Sequence, residues 1–138
     1  MTVYIALIML LLISFFSLAA DVGHLYLVKS QLQNAADAGA LAGVGVTSSK
    51  DPTAEVKNLV NANKPDGNVI EPDIQCRKMD NSIVSCSIFN EVKTIRVTVN
   101  LPVQIWFAKV FSNPLDPVTL RATATAELSQ SGNPHLIR

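Results

Sequence analysis

The sequence predicts an α+β fold, in which a long N-terminal helix packs on a small antiparallel β-sheet with one or two short helices beside it. Two observations support this. The first 46 of the 138 residues contain no proline and read as one continuous helix. Later, residues 94–101 and 118–128 alternate between apolar and polar side chains, as strands do when one face covers a core. The chain is therefore predicted to be a long helix carrying a small head domain.

The first half of this helix, residues 1–20, is apolar on all sides. It contains no charged side chain, and only Thr2, Tyr4, Ser14 and Ser17 interrupt its apolar character. A helix of this composition must be shielded from water. At ~1.5 Å per residue it measures roughly 30 Å, the thickness of the hydrocarbon core of a bilayer. This length and composition predict a membrane-spanning segment.

The second half of the helix, from Asp21 to Val46, is amphipathic. Apolar and small residues recur at intervals of three and four: Leu25, Val28, Leu32, Ala35, Gly39, Ala42 and Val46. Polar side chains such as Lys29 and Gln33 occupy the other side. One face of a single helix gives this spacing, so both halves together are predicted to form a rod of about 65–70 Å.

A secretory signal peptide is the alternative interpretation of residues 1–20. Such a signal has a basic leader, a shorter apolar core and a cleavage site of small residues. Ser17 to Ala20 fits a cleavage site, but no Lys or Arg precedes the apolar run. Because the helical pattern continues through Ala20 into Asp21, we expect this helix to be retained and a basic leader to have preceded Met1.

The two cysteines predict a disulfide and an oxidising compartment. Cys76 and Cys86 flank the turn-forming residues Asp80, Asn81 and Ser82, and a hairpin centred near Asn81 would place the cysteines opposite each other. A bond between them closes a loop of about eleven residues and contributes roughly 2–3 kcal/mol. It would persist outside the cytosol. Two buried free thiols are the alternative, whereas a metal site would need more ligands.

The remaining head elements are predicted from turn and capping residues. Asp51 and Pro52 begin a short helix that buries Val56, Leu59 and Val60 on one face. A strand follows over residues 69–76, with Pro72 at an edge or a bulge, and its partner covers residues 83–89. The alanines of residues 118–128 leave room for a helix packed closely on the sheet.

Residues 102–111 are predicted to form another short helix. Its Trp106, Phe107 and Phe111 have helical spacing and are assigned to the core, with an exposed binding patch as the alternative. The segment after Ser129 is expected to be loose. The predicted organisation is a helix over residues 1–46, an extracytoplasmic head over 47–129 and a tail over 130–138.

Composition argues against several functional classes. Eleven acidic and eleven basic residues give zero net charge, which disfavours a nucleic-acid surface. Asp21 and His24 share a helix face but have no third ligand or nucleophile beside them. No phosphate loop or catalytic elbow occurs. We therefore expect no enzymatic activity, no metal and no cofactor.

The helix also carries a family resemblance. Asp21, Gly23 and Tyr26, followed by residues 32–43 (LQNAADAGALAG), resemble the signature of the TadE/TadG-like proteins of tight-adherence, or Flp-type, pilus systems. Residues 95–103, 107–110 and 122–127 are similar to the C-terminal part of the same proteins.

The resemblance implies a pilin-like protein that is cleaved by a prepilin peptidase, inserted through its N-terminal helix and assembled with copies of itself into a cell-surface filament. Many type IV pilins carry a glutamate at the fifth mature position, where this chain has Ile5, so Asp21 is the nearest acid for the same role. An inner-membrane minor pilin or assembly protein of the same pilus and secretion system is the alternative. A binding module that holds a surface ligand on its sheet is a third class.

Self-assembly would exchange lipid for protein around the helix. Helices gain little hydrophobic free energy by leaving lipid, so close packing must supply the preference. The residues predicted to pack are Ala6, Leu10, Ser14, Ser17, Asp21, Leu25, Val28, Leu32, Ala35, Gly39 and Ala42. The alternative is a monomeric membrane protein whose alanines reflect helix propensity alone.

Overall fold

The computed structural model describes residues 1–47, 49–88, 91–107, 117–129 and 134–137. Helix α1 spans Thr2–Val46 and helix α2 spans Thr53–Ala62, and one turn of 3-10 helix follows at Pro65–Gly67. The strands are β1 (Asp73–Arg77), β2 (Ile83–Val84), β3 (Thr94–Val103), β4 (Val118–Leu128) and β5 (Pro134–Ile137). The predicted α+β architecture is confirmed, including the full length of α1.

The strands form one antiparallel sheet in the order β2-β1-β3-β4-β5. Its centre is the β3–β4 pair, which runs from Thr94 opposite Glu127 to Val103 opposite Val118. The predicted alternation is confirmed, because Ile95, Val97 and Val99 of β3 are buried. On β4 the buried residues are Ala122, Ala124 and Ala126. The sheet thus buries one apolar face.

The amphipathic half of α1 covers that face. Its Val28, Leu32 and Ala35 are fully buried and belong to the same core cluster as the strand residues, and α1 contacts both β3 and β4. The small alanine side chains of β4 let the helix approach closely, as the sequence predicted. The helix stripe and the sheet face therefore form one core.

Helix α2 packs on α1 at two glycines one helical turn apart. A Cβ atom at Gly39 would lie 2.7 Å from Val60 Cγ2, and one at Gly43 would lie 2.6 Å from Val56 Cγ2. Real side chains do not approach this closely, and valine has little rotamer freedom with which to move aside. Glycine is therefore required at both positions by the proximity of α2.

The start of α2 is stabilised by Asp51. Its Oδ1 accepts a hydrogen bond from the Thr53 backbone N–H at 2.8 Å, and hydrogen bonds from the Thr53 side chain and backbone lower the pKa of Asp51. A carboxylate at this position also interacts favourably with the positive end of the helix dipole. Val56 and Val60 are buried and Leu59 is half-buried, so the predicted face of this helix is confirmed.

Cys76 and Cys86 form the predicted disulfide, with their Cα atoms 5.3 Å apart. The hairpin register differs from the prediction, since Cys76 pairs with Val84 and Arg77 pairs with Ile83. Cys86 lies beyond the strand, in a turn in which the Ile88 N–H bonds to the Ser85 carbonyl at 3.0 Å. The turn, and not the ladder, brings the second cysteine to the first.

Three predicted segments differ from the structure. The strand expected at residue 69 begins at Asp73, directly after Pro72, which has no N–H to donate. Its partner is only Ile83–Val84, with Phe89 outside the described residues. The tail expected to be loose contributes β5, which pairs with the end of β4 through contacts such as Leu136 opposite Ala126.

The helix predicted over residues 102–111 is absent from its described part. Pro102 and Val103 continue β3 opposite Thr119 and Val118, and residues 104–107 are not helical. Ladder pairing outweighs local helix preference here. Residues 108–111 lie outside the described residues.

We predict that Gly39→Ala and Gly43→Ala each destabilise the head, because each added Cβ also meets a second side chain, Val56 Cγ1 at 3.3 Å and Ile95 Cδ1 at 3.1 Å respectively. Overpacking costs about 1–3 kcal/mol, which outweighs the ~1 kcal/mol that alanine gains over glycine inside a helix. Thermal unfolding of detergent-solubilised protein measures the effect, at roughly 4–8 °C per kcal/mol for a domain of this size.

Gly23→Ala and Gly45→Ala are the matched controls, because nothing lies within 4 Å of a Cβ at either position. Both are expected to unfold at the wild-type temperature or above it. Equal destabilisation of all four variants would contradict the close approach of α2.

We also predict that replacing both cysteines by serine lowers the free energy of unfolding by about 2–3 kcal/mol, because the unfolded chain gains the freedom of the opened loop. Denaturant titration measures this loss. Trypsin cleaves after Arg77 and Lys78, between the cysteines, so the wild-type digest should hold the two peptides together until a reductant is added. Peptides that separate without reductant would exclude the bond.

Candidate functional site

Within the described part of the chain, no element buries the apolar half of α1. None of residues 1–20 is buried, and Leu10 and Phe16 are 67% and 74% exposed. Within the described residues, α1 is a single helix long and apolar enough to cross a membrane, and the apolar window, with a mean hydropathy of 2.6, has none of its residues buried. A core helix of a water-soluble protein would instead be covered, so this surface needs an apolar environment from outside the chain.

The two serines in this half do not oppose such an environment. Ser14 Oγ donates to the Leu10 carbonyl at 2.9 Å, and Ser17 Oγ donates to the Ile13 carbonyl at 2.8 Å. Each hydroxyl is thus satisfied within its own helix, which is required where no water is available. Residues 1–20 present no charged side chain and no unsatisfied serine hydroxyl to lipid or to another helix.

The residues predicted to mediate packing fall into two groups. Val28, Leu32, Ala35 and Gly39 are buried in this chain's own core, and Leu25 and Ala42 are half-buried beside them. Ala6 and Leu10 are exposed, and Ser14 and Ser17 are half-buried. The structure therefore gives the second group, which lies on the same helix face further toward the N-terminus, no partner from the head.

Asp21 marks the boundary between the two halves. It is 8% exposed, and its carboxylate accepts hydrogen bonds from two consecutive backbone N–H groups after β3. The Trp106 N–H lies 3.2 Å from Oδ1, and the Phe107 N–H lies 3.1 Å from Oδ2. Hydrogen bonds to an ionised acceptor are stronger than neutral ones. These two hydrogen bonds hold the segment that follows β3 against the helix.

A second contact holds the 3-10 turn on the helix just beyond Asp21. The Asp66 N–H donates to Gln31 Oε1 at 2.9 Å, and Asp66 Oδ1 lies 3.3 Å from His24 Nε2. Asp66 adopts a positive φ of 51°, a conformation that carries some strain outside glycine. The head is thus attached to the helix by hydrogen bonds at two places, Asp21 and the segment from His24 to Gln31. The head begins where the apolar half of the helix ends.

Asp21 and His24, which share a helix face, are also a candidate pair that could bind a metal or act in catalysis. The two side chains bind different segments of the head. Over the described ranges, no group of three or more His, Cys, Asp or Glu residues is arranged to hold a metal ion. Both side chains have a structural role in attaching loops to the helix.

Trp106 and Phe107 are exposed, at 74% and 46%, so their assignment to the core is wrong and the alternative of an exposed patch describes them. Phe111 lies outside the described residues. With Ala20, Asp21 and His24, the two aromatic residues line a shallow cleft of about 230 Å³. No local pattern predicts that Asp21 binds this loop, because the partners are 85 residues apart.

Comparison with known families finds a match to the helix. Residues 1–46 match the family described as "Putative Flp pilus-assembly TadE/G-like", which is one third of the 138 residues. The match covers α1 and confirms the resemblance carried by its residues, and it does not extend to the strands. No curated protein and no solved structure matches this chain.

We predict that Asp21→Ala destabilises the attachment of the head to the helix by about 2 kcal/mol, since two backbone N–H groups lose a charged acceptor. Thermal unfolding in detergent measures the loss. Asp21→Asn retains one acceptor oxygen and should have a smaller effect. Asp37→Ala is the control. Among the hydrogen bonds described, the Asp37 carboxylate accepts one, from Gln33 of the same helix, and so it does not attach the head. Wild-type unfolding of Asp21→Ala would show that the loop is held by other contacts.

Proposed function

We propose that this chain is a pilin-like structural subunit of an extracellular bacterial filament, assembled through residues 1–20 of α1. The observation that carries the proposal is one helix with two roles. Its second half is the centre of a folded head, while its first half carries no charged side chain and contains no buried residue. Together with the family match over the same residues, this favours a protein that moves from membrane to assembly without refolding.

The proposed assembly step exchanges lipid contacts for helix contacts. Because lipid is as apolar as leucine, association depends on close packing and not on the hydrophobic effect. Ala6, Leu10, Ser14 and Ser17 repeat at intervals of three and four and continue the face that carries Asp21. The alanine and the two serines on this face have small side chains, so a neighbouring helix can approach closely. We assign the contact between subunits to this face.

The proposed partners and location follow from the same arrangement. The subunit would be held in the inner membrane by residues 1–20, processed by a prepilin peptidase, and moved by the pilus assembly machinery to the cell surface. The head would be extracytoplasmic, which suits the Cys76–Cys86 disulfide because such bonds persist in oxidising compartments. No cofactor or nucleic acid takes part.

A second candidate is an inner-membrane minor pilin or assembly protein. The observation that favours it is the lack of any carboxylate side chain in residues 1–20. Asp21 is also engaged by the Trp106 and Phe107 amides, so it is not available to neutralise a neighbouring N-terminus without releasing the loop. A subunit without this contact would join a filament by shape alone or remain in the membrane.

The first test is electron microscopy of material sheared from cells, with mass spectrometry of its N-terminus. We expect filaments that contain this chain. Recovery of the chain only from detergent-extracted inner membrane would overturn the filament subunit and support the second candidate.

The second test is crosslinking in cells, using a single additional cysteine. Leu10→Cys on the exposed apolar half is expected to give reducible dimers and higher oligomers, because residue 10 would face another copy. Asn100→Cys is the matched control on β3, where Asn100 is exposed on the opposite face of the sheet from the core, and should stay monomeric. Crosslinks from Asn100 but not from Leu10 would contradict assembly through the helix.

A further inference from the structure

Trp106 and Phe107 occupy a specific level along α1. Their backbone N–H groups bind Asp21, the first residue after the uncharged segment, and their side chains line the cleft with Ala20 and His24. They are therefore large exposed aromatic residues of the head placed beside the last turn of the apolar half.

We propose that Trp106 and Phe107 form a bilayer anchor, in which both side chains enter the interfacial layer of the phospholipid membrane while residues 1–20 span its hydrocarbon core. The proposal rests on the proposed membrane-bound stage of the subunit. Its occupant is lipid, because the aromatic surface is continuous with a helix surface that already requires an apolar environment.

The geometry matches the thickness of that layer. Each headgroup region adds about 5–7 Å to the hydrocarbon core, which corresponds to roughly four residues of helix. If hydrocarbon ends near Ala20, the layer extends over Asp21 to His24, which is the segment that Trp106 and Phe107 adjoin. Tyr26, 77% exposed on α1, lies six residues past Ala20, or about 9 Å further along the axis, and is therefore just outside this layer.

The chemistry of the residues fits the same place. Indole has an apolar body and one N–H donor, and tryptophan and tyrosine are enriched at membrane interfaces for this reason. An exposed Trp106 and Phe107 would cost free energy in water. The carboxylate of Asp21 fixes the backbone below them, so the two side chains are presented at one depth and not on a free loop.

The anchor would orient the head. Because hydrogen bonds attach the head to the helix at Asp21 and at His24 to Gln31, the head cannot rotate about α1. Adding lipid contacts at Trp106 and Phe107 would tilt the helix so that this side of the head rests on the membrane. A subunit leaving the bilayer would then have to release this contact as well as the helix.

Trp106 is the only tryptophan of the chain, so its fluorescence tests the anchor directly. The full chain is reconstituted into phosphatidylcholine vesicles that contain lipid brominated either near the carbonyl end or near the methyl end of the acyl chains. We expect at least about twofold stronger quenching by the shallow bromines, as for an interfacial indole, with weak quenching by aqueous iodide. Asp21→Ala, which frees the loop, should reduce the difference between the two lipids.

A second tryptophan position separates this anchor from membrane insertion itself. Leu10→Trp on a Trp106→Phe background places the indole near the middle of the apolar half, where deep bromines should quench it most. If that probe is quenched as expected but Trp106 responds only to iodide, the helix is inserted and the anchor is wrong. If neither probe is quenched by lipid, insertion and the proposed function both fail.

A neighbouring subunit is the competing occupant. In that case Trp106 would be protected from both lipid bromines and iodide at high protein density, and would become accessible to iodide when the protein is diluted with excess lipid. This result would overturn the lipid anchor and assign the aromatic pair to an interface between copies.

Discussion

The continuity of α1 through two environments is the constraint on which the rest of the structure depends. A helix satisfies its own backbone hydrogen bonds, so the same 45-residue element can be covered by protein at one end and by lipid or other helices at the other. The head is built to fit this rod. The alanines of β4 and the glycines that face α2 allow both elements to approach it, and the core forms around Leu32 and its neighbours.

The boundary between the two environments is set by polar contacts, because apolar packing alone would not define where the head should stop. Asp21 binds the segment that follows β3, and Gln31 binds the 3-10 turn. Both contacts use backbone N–H groups as donors, so their positions depend on chain path more than on side-chain identity. The head is consequently attached without a flexible spacer, and its position along the helix is fixed relative to residues 1–20.

Periodicity predicted the elements whose faces differ most in polarity. The spacing of α1 and the alternation in β3 and β4 located these elements to within two residues, because burial on one face imposes a period of 3.6 or 2 on the sequence. Residues 102–103 and 134–137 were mispredicted because pairing with β4 decided their conformation, and no local pattern records a distant partner. The role of Asp21 could not be predicted for the same reason, although the polar residue at the end of an apolar segment was visible.

The small residues of the helix show why folding and assembly can be encoded in one sequence without competing. Gly39 and Gly43 have the spacing that membrane helices use to dimerise. Here the space beside the two glycines is occupied by Val60 and Val56 of the same chain. The glycine motif therefore serves the fold, and both glycines are covered by a helix of the same chain. Residues 1–20, in contrast, contain no buried side chain. Because that segment makes no contribution to the core, its side chains can be selected for lipid or for neighbouring helices without destabilising the head.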